Sequence, residues 1–377
     1  MGHLFFVFTP LQLFVAQQII RQEKLEKCII IEGYRSLFGD SYDMMILDEL
    51  WYRIIEMEDA AAWDGFKLNS LKDIKQTYNN YRKIKTLLVE NNVKEIYLGE
   101  ILNQACRFTC ILFSHEGYHV NFFEEGTSHY IDRPYTVNDS LLHNLKIKIY
   151  DTFYYKPLYH ISFAKWRLNV NMPYNELPIH KRYSMIPFHH EDFDILLKPT
   201  PMFSDKLLKF VESNIKDEEG DNRVMLMTDP LRELIPKEYL YLYFDTIKEA
   251  ISSVSKEQFL YIKFHPREIE SSRKKILEIA NQSGIRYKVL SEEVNICVEY
   301  YLQKFHFDKI FFFNAATYFY NGYAFPKMNF VRLMPVVYKK CKEAGVQNLT
   351  YMENMLKMIS PETIINKNLQ KQDKPNA

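Results

Sequence analysis

Short apolar runs that alternate with amphipathic stretches constrain the fold of this chain more than any other feature. They form an earlier and a later series, and helical stretches such as 71–90 and 237–254 separate the runs. The runs are 4–8, 28–31, 95–98, 118–123, 224–227, 259–264, 287–290, 310–313 and 329–333. Continuous apolar strands between amphipathic helices are typical of parallel sheets covered on both faces. The pattern therefore predicts an α/β fold with two parallel sheets.

The two series predict two domains, as the length of 377 residues also does. We expect an N-terminal domain over 1–213, an acidic, turn-rich linker over 214–223 and a C-terminal domain over 224–365. The polar tail 366–377 is predicted to be disordered. Residues 131–200 are rich in aromatic and basic side chains, and two interpretations stay open for them. One is a helical excursion with solvated charges, and the other is a surface that contacts the acceptor or a membrane.

Composition excludes several classes of protein. Lys and Arg total 48 and Asp and Glu total 48, so no excess of positive charge favours nucleic acid. The five cysteines are scattered, which predicts buried free thiols in a reducing compartment.

Thr9 and Pro10 predict the start of a helix after the first strand. Since no stretch reaches about 20 apolar residues, we expect a cytoplasmic protein, either soluble or peripheral at the inner face of the plasma membrane.

One motif with carboxylates follows the fourth apolar run. It reads Glu124-Glu125-Gly126-Thr127. Ligands bind at the carboxyl ends of parallel strands, and Gly126 allows a sharp turn and a close approach of a ligand. A carboxylate within hydrogen-bond reach can deprotonate a hydroxyl. By itself, however, the motif is also compatible with an ordinary solvated turn.

A second motif, His265-Pro266-Arg267, follows the apolar run 259–264. The proline cannot continue a strand, so it fixes the direction in which the chain leaves the sheet. The imidazole of His265 is suited to donate a proton or a hydrogen bond to a leaving phosphate, and Arg267 adds a fixed positive charge. The alternative is a buried histidine bonded to the backbone.

Two more strand ends of the second series carry polar side chains. Thr228 and Asp229 follow one run, and Asn314 and Thr317 follow another, where a helix start favours an anion. We expect Glu125, Asp229, His265 and Asn314 to converge on one cleft between the domains. The chain has no Gly-rich dinucleotide motif, no phosphate loop and no metal-ligand cluster. This combination predicts a group transfer from a nucleotide-activated donor that needs no metal and no cofactor.

At these residues the chain resembles bacterial sialyltransferases of the lipooligosaccharide type and the related capsular polysialyltransferases. The resemblance rests on Glu124-Glu125-Gly126, on His265-Pro266, on the small, hydroxyl-bearing segment 314–317 and on the opening Phe8-Thr9-Pro10-Leu11-Gln12-Leu13. It implies two Rossmann-like domains of the GT-B type that face an interdomain cleft. It also implies CMP-sialic acid as the donor, inversion at the anomeric carbon and a cell-surface glycan, such as lipooligosaccharide or capsule, as the acceptor.

The resemblance further implies roles for individual residues. Glu125 is the expected base, with Asp229 as its rival, and His265 protonates or binds the departing phosphate. The substrate-binding residues are expected to be Glu124, Gly126, Thr228, Pro266, Arg267, Glu293, Asn314 and Thr317, with Glu293 on the ribose. The alternatives are another nucleotide sugar, such as CMP-Kdo, and a non-catalytic subunit of glycan assembly. The expected partners are the donor and an oligosaccharide acceptor but no nucleic acid, while peripheral membrane contact and a homodimer stay open.

Overall fold

The computed structural model of the protein describes residues 1–33, 35–56, 71–99, 104–123, 141–162, 177–185, 195–215, 222–231, 234–290, 294–315, 317–318 and 328–358. These residues form two compact units, the first ending at Lys198 and the second beginning at Pro199. The division precedes the predicted linker 214–223, of which residues 216–221 lie outside the described residues.

The first unit is built on a parallel sheet of seven strands in the order β3-β2-β1-β4-β5-β6-β7. The strands are β1 Gly2–Val7, β2 Cys28–Glu32, β3 Arg53–Glu56, β4 Val93–Leu98, β5 His119–Phe123, β6 Arg182–Ser184 and β7 Ile195–Leu196. Its helices are α1 Pro10–Glu23, α2 Arg35–Met45, α3 Leu71–Glu90, α4 Gln104–His115, α5 Leu141–Tyr150 and α6 Lys156–Tyr159, with a π-helical turn, Asp151–Tyr155, between the last two. The order of the first five strands is that of a Rossmann fold.

The second unit repeats this architecture with five parallel strands in the order β10-β9-β8-β11-β12. The strands are β8 Arg223–Met227, β9 Phe259–Lys263, β10 Tyr287–Val289, β11 Lys309–Phe312 and β12 Phe330–Arg332. The helices are α7 Asp205–Asn214, α8 Tyr241–Ser252, α9 Glu270–Ser283, α10 Val298–Lys304, α11 Met334–Glu343 and α12 Thr350–Met358. Both units are therefore Rossmann-like, as predicted.

Helix α7 belongs to the second unit because its contacts are made there. The carboxylate of Glu212 lies 2.8 Å from Nζ of Lys304 in α10. Nζ of Lys288 in β10 donates to the carbonyl oxygen of Ser213 at 3.1 Å. Its apolar side chains Leu207 and Val211 are buried. The helix thus extends the second unit towards the N-terminus by one element.

The apolar runs of the sequence account for the two cores. In the first unit, Leu4 and Phe6 of β1 pack with residues of α3 and α4, among them Leu88 and Phe108. In the second, Leu226 and Leu260 and their neighbours pack against α8, α9 and α11. The predicted helix start is confirmed, since Pro10 is in the first turn of α1 and the Thr9 hydroxyl accepts a hydrogen bond from the amide of Gln12. Three of the cysteines predicted to be buried free thiols are so, namely Cys28, Cys110 and Cys341.

All nine predicted strands are present, and three further strands were missed. β3 lies at an edge of the sheet with three of its four residues exposed, so it has no apolar run to reveal it. β6 has three residues and β7 has two, too few to show a period. Within 131–200 the structure describes both a helical segment, 141–159, and these two short strands. Among the described residues, no helix is long and apolar enough to cross a membrane.

Candidate active site

The carboxyl ends of β8, β9 and β11 form the site in the second unit. The chain runs from β8 to β9 and β10 on one side of the sheet and returns to β11 on the other. A change of direction of this kind opens a crevice at the strand ends, where open α/β sheets bind their ligands. The residues at these ends are Thr228 and Asp229 after β8, His265 after β9 and Asn314 after β11. We refer to these four residues as the strand-end cluster.

Hydrogen bonds join the three strand ends. The Thr228 hydroxyl accepts from the amide of His265 at 3.0 Å. Oδ2 of Asp229 accepts from the amide of Asn314 at 3.2 Å. The residues after β8 therefore lie between the other two ends and bond to both. The structure thus brings together four residues that the sequence predicted for the site.

His265 is held in one orientation by the turn that follows it. Its Nδ1 accepts a hydrogen bond from the amide of Arg267 at 3.1 Å, so the neutral ring carries its proton on Nε2. Burial lowers the pKa of His265 to about 4, and the charges of Arg267 and Lys263 act in the same direction. The imidazole of the unliganded protein is therefore neutral at neutral pH, with an N–H donor on Nε2.

The turn after His265 is held in place by hydrogen bonds of Glu268. Pro266 and Arg267 are exposed, whereas Glu268 is buried. The amide of Glu268 donates to the carbonyl oxygen of His265 at 2.9 Å. The carboxylate of Glu268 accepts from the hydroxyl of Tyr243 at 3.2 Å, and its carbonyl oxygen accepts from Nε of Arg273 at 3.0 Å. These contacts anchor the turn to α8 and α9, which leaves Arg267 on the surface.

Arg332, the last residue of β12, orients the side chain of Asn314 through a hydrogen bond. Its Nη2 donates to Oδ1 of Asn314 at 3.1 Å and to the carbonyl oxygen of Met355 at 3.3 Å, while its Nε donates to the carbonyl oxygen of Phe313 at 3.3 Å. Burial lowers the pKa of Arg332 to about 10, so the guanidinium stays charged at neutral pH. The backbone amide of Asn314 therefore bonds to Asp229, and its side chain bonds to the half-buried guanidinium of Arg332.

Thr317 is paired with a buried carboxyl group. Its hydroxyl lies 2.6 Å from Oε1 of Glu299 in α10, and both residues are buried. Burial raises the pKa of Glu299, an effect that the Thr317 hydroxyl and the charge of Lys263 partly offset. In the structure the Thr317 hydroxyl is the donor and Oε1 of Glu299 the acceptor.

Lys263 is a buried ionisable residue near the site, as Glu299 is. It ends β9, two residues before His265, and its Nζ donates to Oδ1 of Asn295 at 3.0 Å. Burial lowers the pKa of Lys263 to about 8, and the nearby Glu299 opposes this shift. Since a buried cation costs free energy, its position beneath the strand ends indicates a role in the electrostatics of the site.

The corresponding position of the first unit, between β1 and β4, is closed by neutral side chains. Oε1 of the fully buried Gln12 accepts from the amide of Phe8 at 2.6 Å. A Cβ atom at Gly99, directly after β4, would collide with the side chain of Gln12, and one at Gly33 would collide with the ring of Phe8. The amides of Gln12 and Leu13 at the start of α1 are satisfied by Thr9. This crevice is thus filled by the protein itself.

Several predicted residues lie outside the described residues, and their roles stay predictions. They are Glu124, Glu125, Gly126 and Glu293. Conversely, the sequence reasoning missed Lys263, Glu299 and Arg332. The signal for two of them was present, because Lys263 and Arg332 are charged residues at the ends of otherwise apolar strands. Glu299 carried no comparable signal, since a glutamate in the first turn of a helix is common.

The comparison with protein families decides the class of the protein. The model of the family described as "Alpha-2,8-polysialyltransferase (POLYST)" matches residues 3–328. The chain belongs to this polysialyltransferase family. It is therefore an enzyme, a glycosyltransferase of the sialyltransferase group, and the prediction of a bacterial sialyltransferase family is confirmed. Membership of the family implies a nucleotide-sugar donor and a glycan acceptor.

No protein with a curated description matches the chain. Solved structures that resemble it include the UDP-N-acetylglucosamine 2-epimerase of Rickettsia bellii, with 12% identity, a TM-score of 0.41 and coverage of 82% of this chain and 74% of the other. MnaA of S. aureus with UDP has 12% identity, a TM-score of 0.44 and coverage of 94% and 91%. MurG of Acinetobacter baumannii has 10% identity, a TM-score of 0.38 and coverage of 95% and 94%. At these levels of similarity, nothing about the function of this chain follows from the three structures.

Proposed function

We propose that this polysialyltransferase-family protein transfers sialic acid from CMP-sialic acid to a hydroxyl of a cell-surface glycan, with inversion and without a metal ion. The observation that carries the proposal is the strand-end cluster, in which Thr228, Asp229, His265 and Asn314 are bonded together at the crevice of the second sheet. The description of the family favours an α2,8 linkage, so the acceptor to test first is a glycan that ends in sialic acid.

The second unit is the proposed binding site of the donor. An anionic phosphate needs hydrogen-bond donors and positive charge. The second unit supplies the imidazole of His265, the exposed Arg267 and the guanidinium of Arg332 beneath Asn314. In the first unit, by contrast, Gln12 and Phe8 fill the equivalent crevice. The distribution of charge therefore favours CMP on the second unit.

The proposed step is a single displacement at the anomeric carbon. The oxygen of the acceptor hydroxyl forms a bond to this carbon while the bond from the carbon to the phosphate oxygen of CMP breaks. The electron pair of the broken bond leaves with CMP, and the proton of the hydroxyl passes to a carboxylate. Inversion follows because the attack occurs on the side opposite the leaving phosphate.

His265 is proposed to stabilise the departing phosphate through the N–H on its Nε2. A neutral imidazole can donate this hydrogen bond over the whole neutral range of pH, and the lowered pKa of His265 keeps the ring neutral there. Negative charge on the bound phosphate would raise the pKa of His265 and strengthen the interaction. Hydrogen bonds that form with developing charge are typically the largest contribution to catalysis.

Asn314, Thr317 and Arg267 are proposed to hold the phosphate before and after the step. The side-chain oxygen of Asn314 accepts from Arg332, which orients its amide group. The Thr317 hydroxyl can donate to the phosphate when Glu299 carries the proton of their shared hydrogen bond. Glu299 and Arg332 are therefore proposed as positioning residues, while Glu293 stays the predicted contact to the ribose.

Glu125 is proposed as the base, and Asp229 as the residue that holds the end of β11. One carboxylate oxygen of Asp229 already accepts from the amide of Asn314. Asp229→Asn keeps an oxygen for this hydrogen bond but removes the basic group. Under the proposal, Asp229→Asn retains activity within about tenfold, and Glu125→Gln loses about a hundredfold or more. The reverse result would make Asp229 the base.

The function is tested by turnover with purified full-length protein. CMP-sialic acid and an oligosialic acid acceptor should yield free CMP and a product longer by one or more sialic acids, and EDTA should leave the rate unchanged. Thermal shifts with CMP, CDP, UDP and GDP should rank CMP first, because a ligand at 100 times its Kd stabilises by about 2.7 kcal/mol. Failure to release CMP with sialylated or galactose-terminated acceptors would reject the proposal, and turnover with CMP-Kdo alone would establish the alternative donor.

A further inference from the structure

Three bulky apolar side chains are exposed in a row on the helical segment 141–159 of the first unit. Leu145 is 56% exposed, Ile149 46% and Phe153 68%. They are spaced by four residues, and we call them the apolar stripe. The opposite side of the segment is buried through Ile147, Asp151, Tyr155 and Tyr159, which have the same spacing. The exposure of the stripe is therefore not a consequence of a loosely packed helix.

The π-helical turn keeps the two sets of side chains on opposite faces. Four residues advance an α-helix by about 400°, so a four-residue repeat drifts by about 40° at each step. Between α5 and α6 the amide of Lys156 donates to the carbonyl oxygen of Asp151, five residues earlier, which widens the turn. The wider turn offsets the drift, and the stripe runs along the segment instead of winding into the core.

The exposed charges around the stripe are of one sign. Lys148 and Lys156 are exposed, and Asp151 is the only acidic residue between 141 and 162. Asp151 is buried, and its carboxylate lies 3.4 Å from Nζ of Lys156 and accepts from the hydroxyl of Ser162 at 2.7 Å. The segment therefore exposes apolar and basic side chains but no carboxylate. This charge distribution complements an anionic surface.

We propose that the apolar stripe, flanked by Lys148 and Lys156, docks this enzyme on the surface of an anionic lipid bilayer. An amphipathic helix with apolar side chains and lysines lies in the bilayer interface, with the apolar side chains below the headgroups and the ammonium groups beside the phosphates. A bilayer matches a convex row of side chains, which requires no complementary groove. The proposal does not depend on the donor, the acceptor or the catalytic groups.

Flotation with vesicles tests the proposal directly. The full-length protein is mixed with vesicles of phosphatidylcholine alone, or with vesicles in which about a third of the lipid is phosphatidylglycerol. This share of anionic lipid gives the vesicles a strongly negative surface. We expect binding to the anionic vesicles that weakens with added salt. The variant Leu145→Ser/Ile149→Ser/Phe153→Ser should lose at least about tenfold in the partition coefficient, since three side chains no longer enter the interface. The substitution Lys148→Glu should weaken binding to the anionic vesicles only.

A matched control replaces three exposed apolar residues elsewhere, Tyr52→Ser/Val89→Ser/Tyr241→Ser, and should bind as the wild type does. Phe153→Trp provides a second readout, because its fluorescence should shift to the blue on anionic vesicles while that of Val89→Trp should not. Equal binding of the stripe variant and the wild type, or no binding by the wild type, would overturn the proposal. So would a stripe variant that only converts a dimer to a monomer in sedimentation, which would identify a second copy as the occupant.

Discussion

The first five strands of the first sheet have the same order as the five strands of the second, but the two sheets differ at the point where that order reverses. Between β1 and β4 of the first unit, the buried amide of Gln12, the ring of Phe8 and two glycines close the crevice. Between β8 and β11 of the second unit, Asp229 and Asn314 bond across it, with His265 beside them. One crevice is filled by neutral groups of the protein, and the other is lined by ionisable and polar groups.

The difference shows that topology offers a site and that side chains determine whether it is used. A Rossmann-like sheet brings strand ends together wherever its order reverses. In the first unit the start of α1 satisfies its own amides through Thr9, so the helix offers fewer donors to an anion. In the second unit, Lys263 and Glu299 are buried near the strand ends and Arg332 is half-buried there, at a cost in stability. Such a cost is typical of functional sites.

Replacement of His265 should give the largest effect on the second crevice. We expect His265→Ala to lower kcat/KM by about a hundredfold or more, because it removes the donor to the departing phosphate. His265→Gln should retain more activity, since its amide can also donate a hydrogen bond. Steady-state kinetics with CMP-sialic acid measure both. Equal loss in the two variants would indicate that His265 transfers a proton instead.

The lowered pKa of His265 also fixes a dependence of stability on pH. Between pH 4 and 6.5 the unfolded chain binds the proton and the folded chain does not, so the free energy of unfolding contributed by this group falls as pH falls through that range. The slope is at most about 1.4 kcal/mol per pH unit for one proton. Urea titrations of the wild type and His265→Gln from pH 4 to 7 should show this difference, and parallel curves would contradict the assigned shift.

Disruption of the first crevice should affect stability but not chemistry. Gly99→Ala places a methyl group against the side chain of Gln12, so we expect a loss of about 1–3 kcal/mol in the free energy of unfolding. The double variant Gln12→Ala/Gly99→Ala should recover part of this loss, because the clash is gone. If the loss of stability in the double variant equals the sum of the losses in the two single variants, the residues do not contact as described. Unchanged binding of CMP to Gly99→Ala separates this crevice from the donor site.

Variants of Thr317 and Glu299 test which of the two residues carries the proton of their hydrogen bond when CMP is bound. Thr317→Val should weaken CMP binding by about tenfold, since one hydrogen bond to a charged group is lost. Glu299→Gln should bind CMP nearly as well as the wild type, because its amide, like a protonated carboxyl group, can donate to Thr317 and leave the Thr317 proton for the phosphate. Isothermal titration with CMP measures both. If Glu299→Gln binds as weakly as Thr317→Val, the ionised carboxylate is the active form.

The smallest effect should come from Lys263. Its pKa of about 8 in the folded protein lies below the value of 10.5 for an unperturbed lysine. Between these values the unfolded chain holds the extra proton, so the contribution of Lys263 to stability increases as pH rises from 8 to 10.5. Relative to Lys263→Met, the wild type should gain stability over this range, as followed by thermal unfolding. A constant difference between the two proteins would show that Lys263 titrates normally.

The sequence predicted the elements better than their ends or their partners. All nine predicted strands are present, because each is an apolar run between turn residues that periodicity reveals. The edge strand β3 was missed because its side chains are exposed. In the site, Asp229, His265 and Asn314 were predicted from their positions after strands. Lys263 and Arg332 were not, although each is visible as a charge at the end of an apolar strand, because only the groups packed around them show what they bind.

The sequence by itself determined two α/β units, the start of α1 at Thr9 and Pro10, and the polar strand ends of the second series, since all of these depend on residues that are neighbours along the chain. Only the tertiary structure decided which strand ends meet. Asp229 and Asn314 are separated by 85 positions, yet the strand order places β8 beside β11 and joins them by a hydrogen bond. Only packing, likewise, fills one crevice with Gln12 and leaves the other lined with His265 and Asp229. The physical reason is that local propensity acts over a few residues, whereas the burial and pairing of charges depend on contacts between distant parts of the chain.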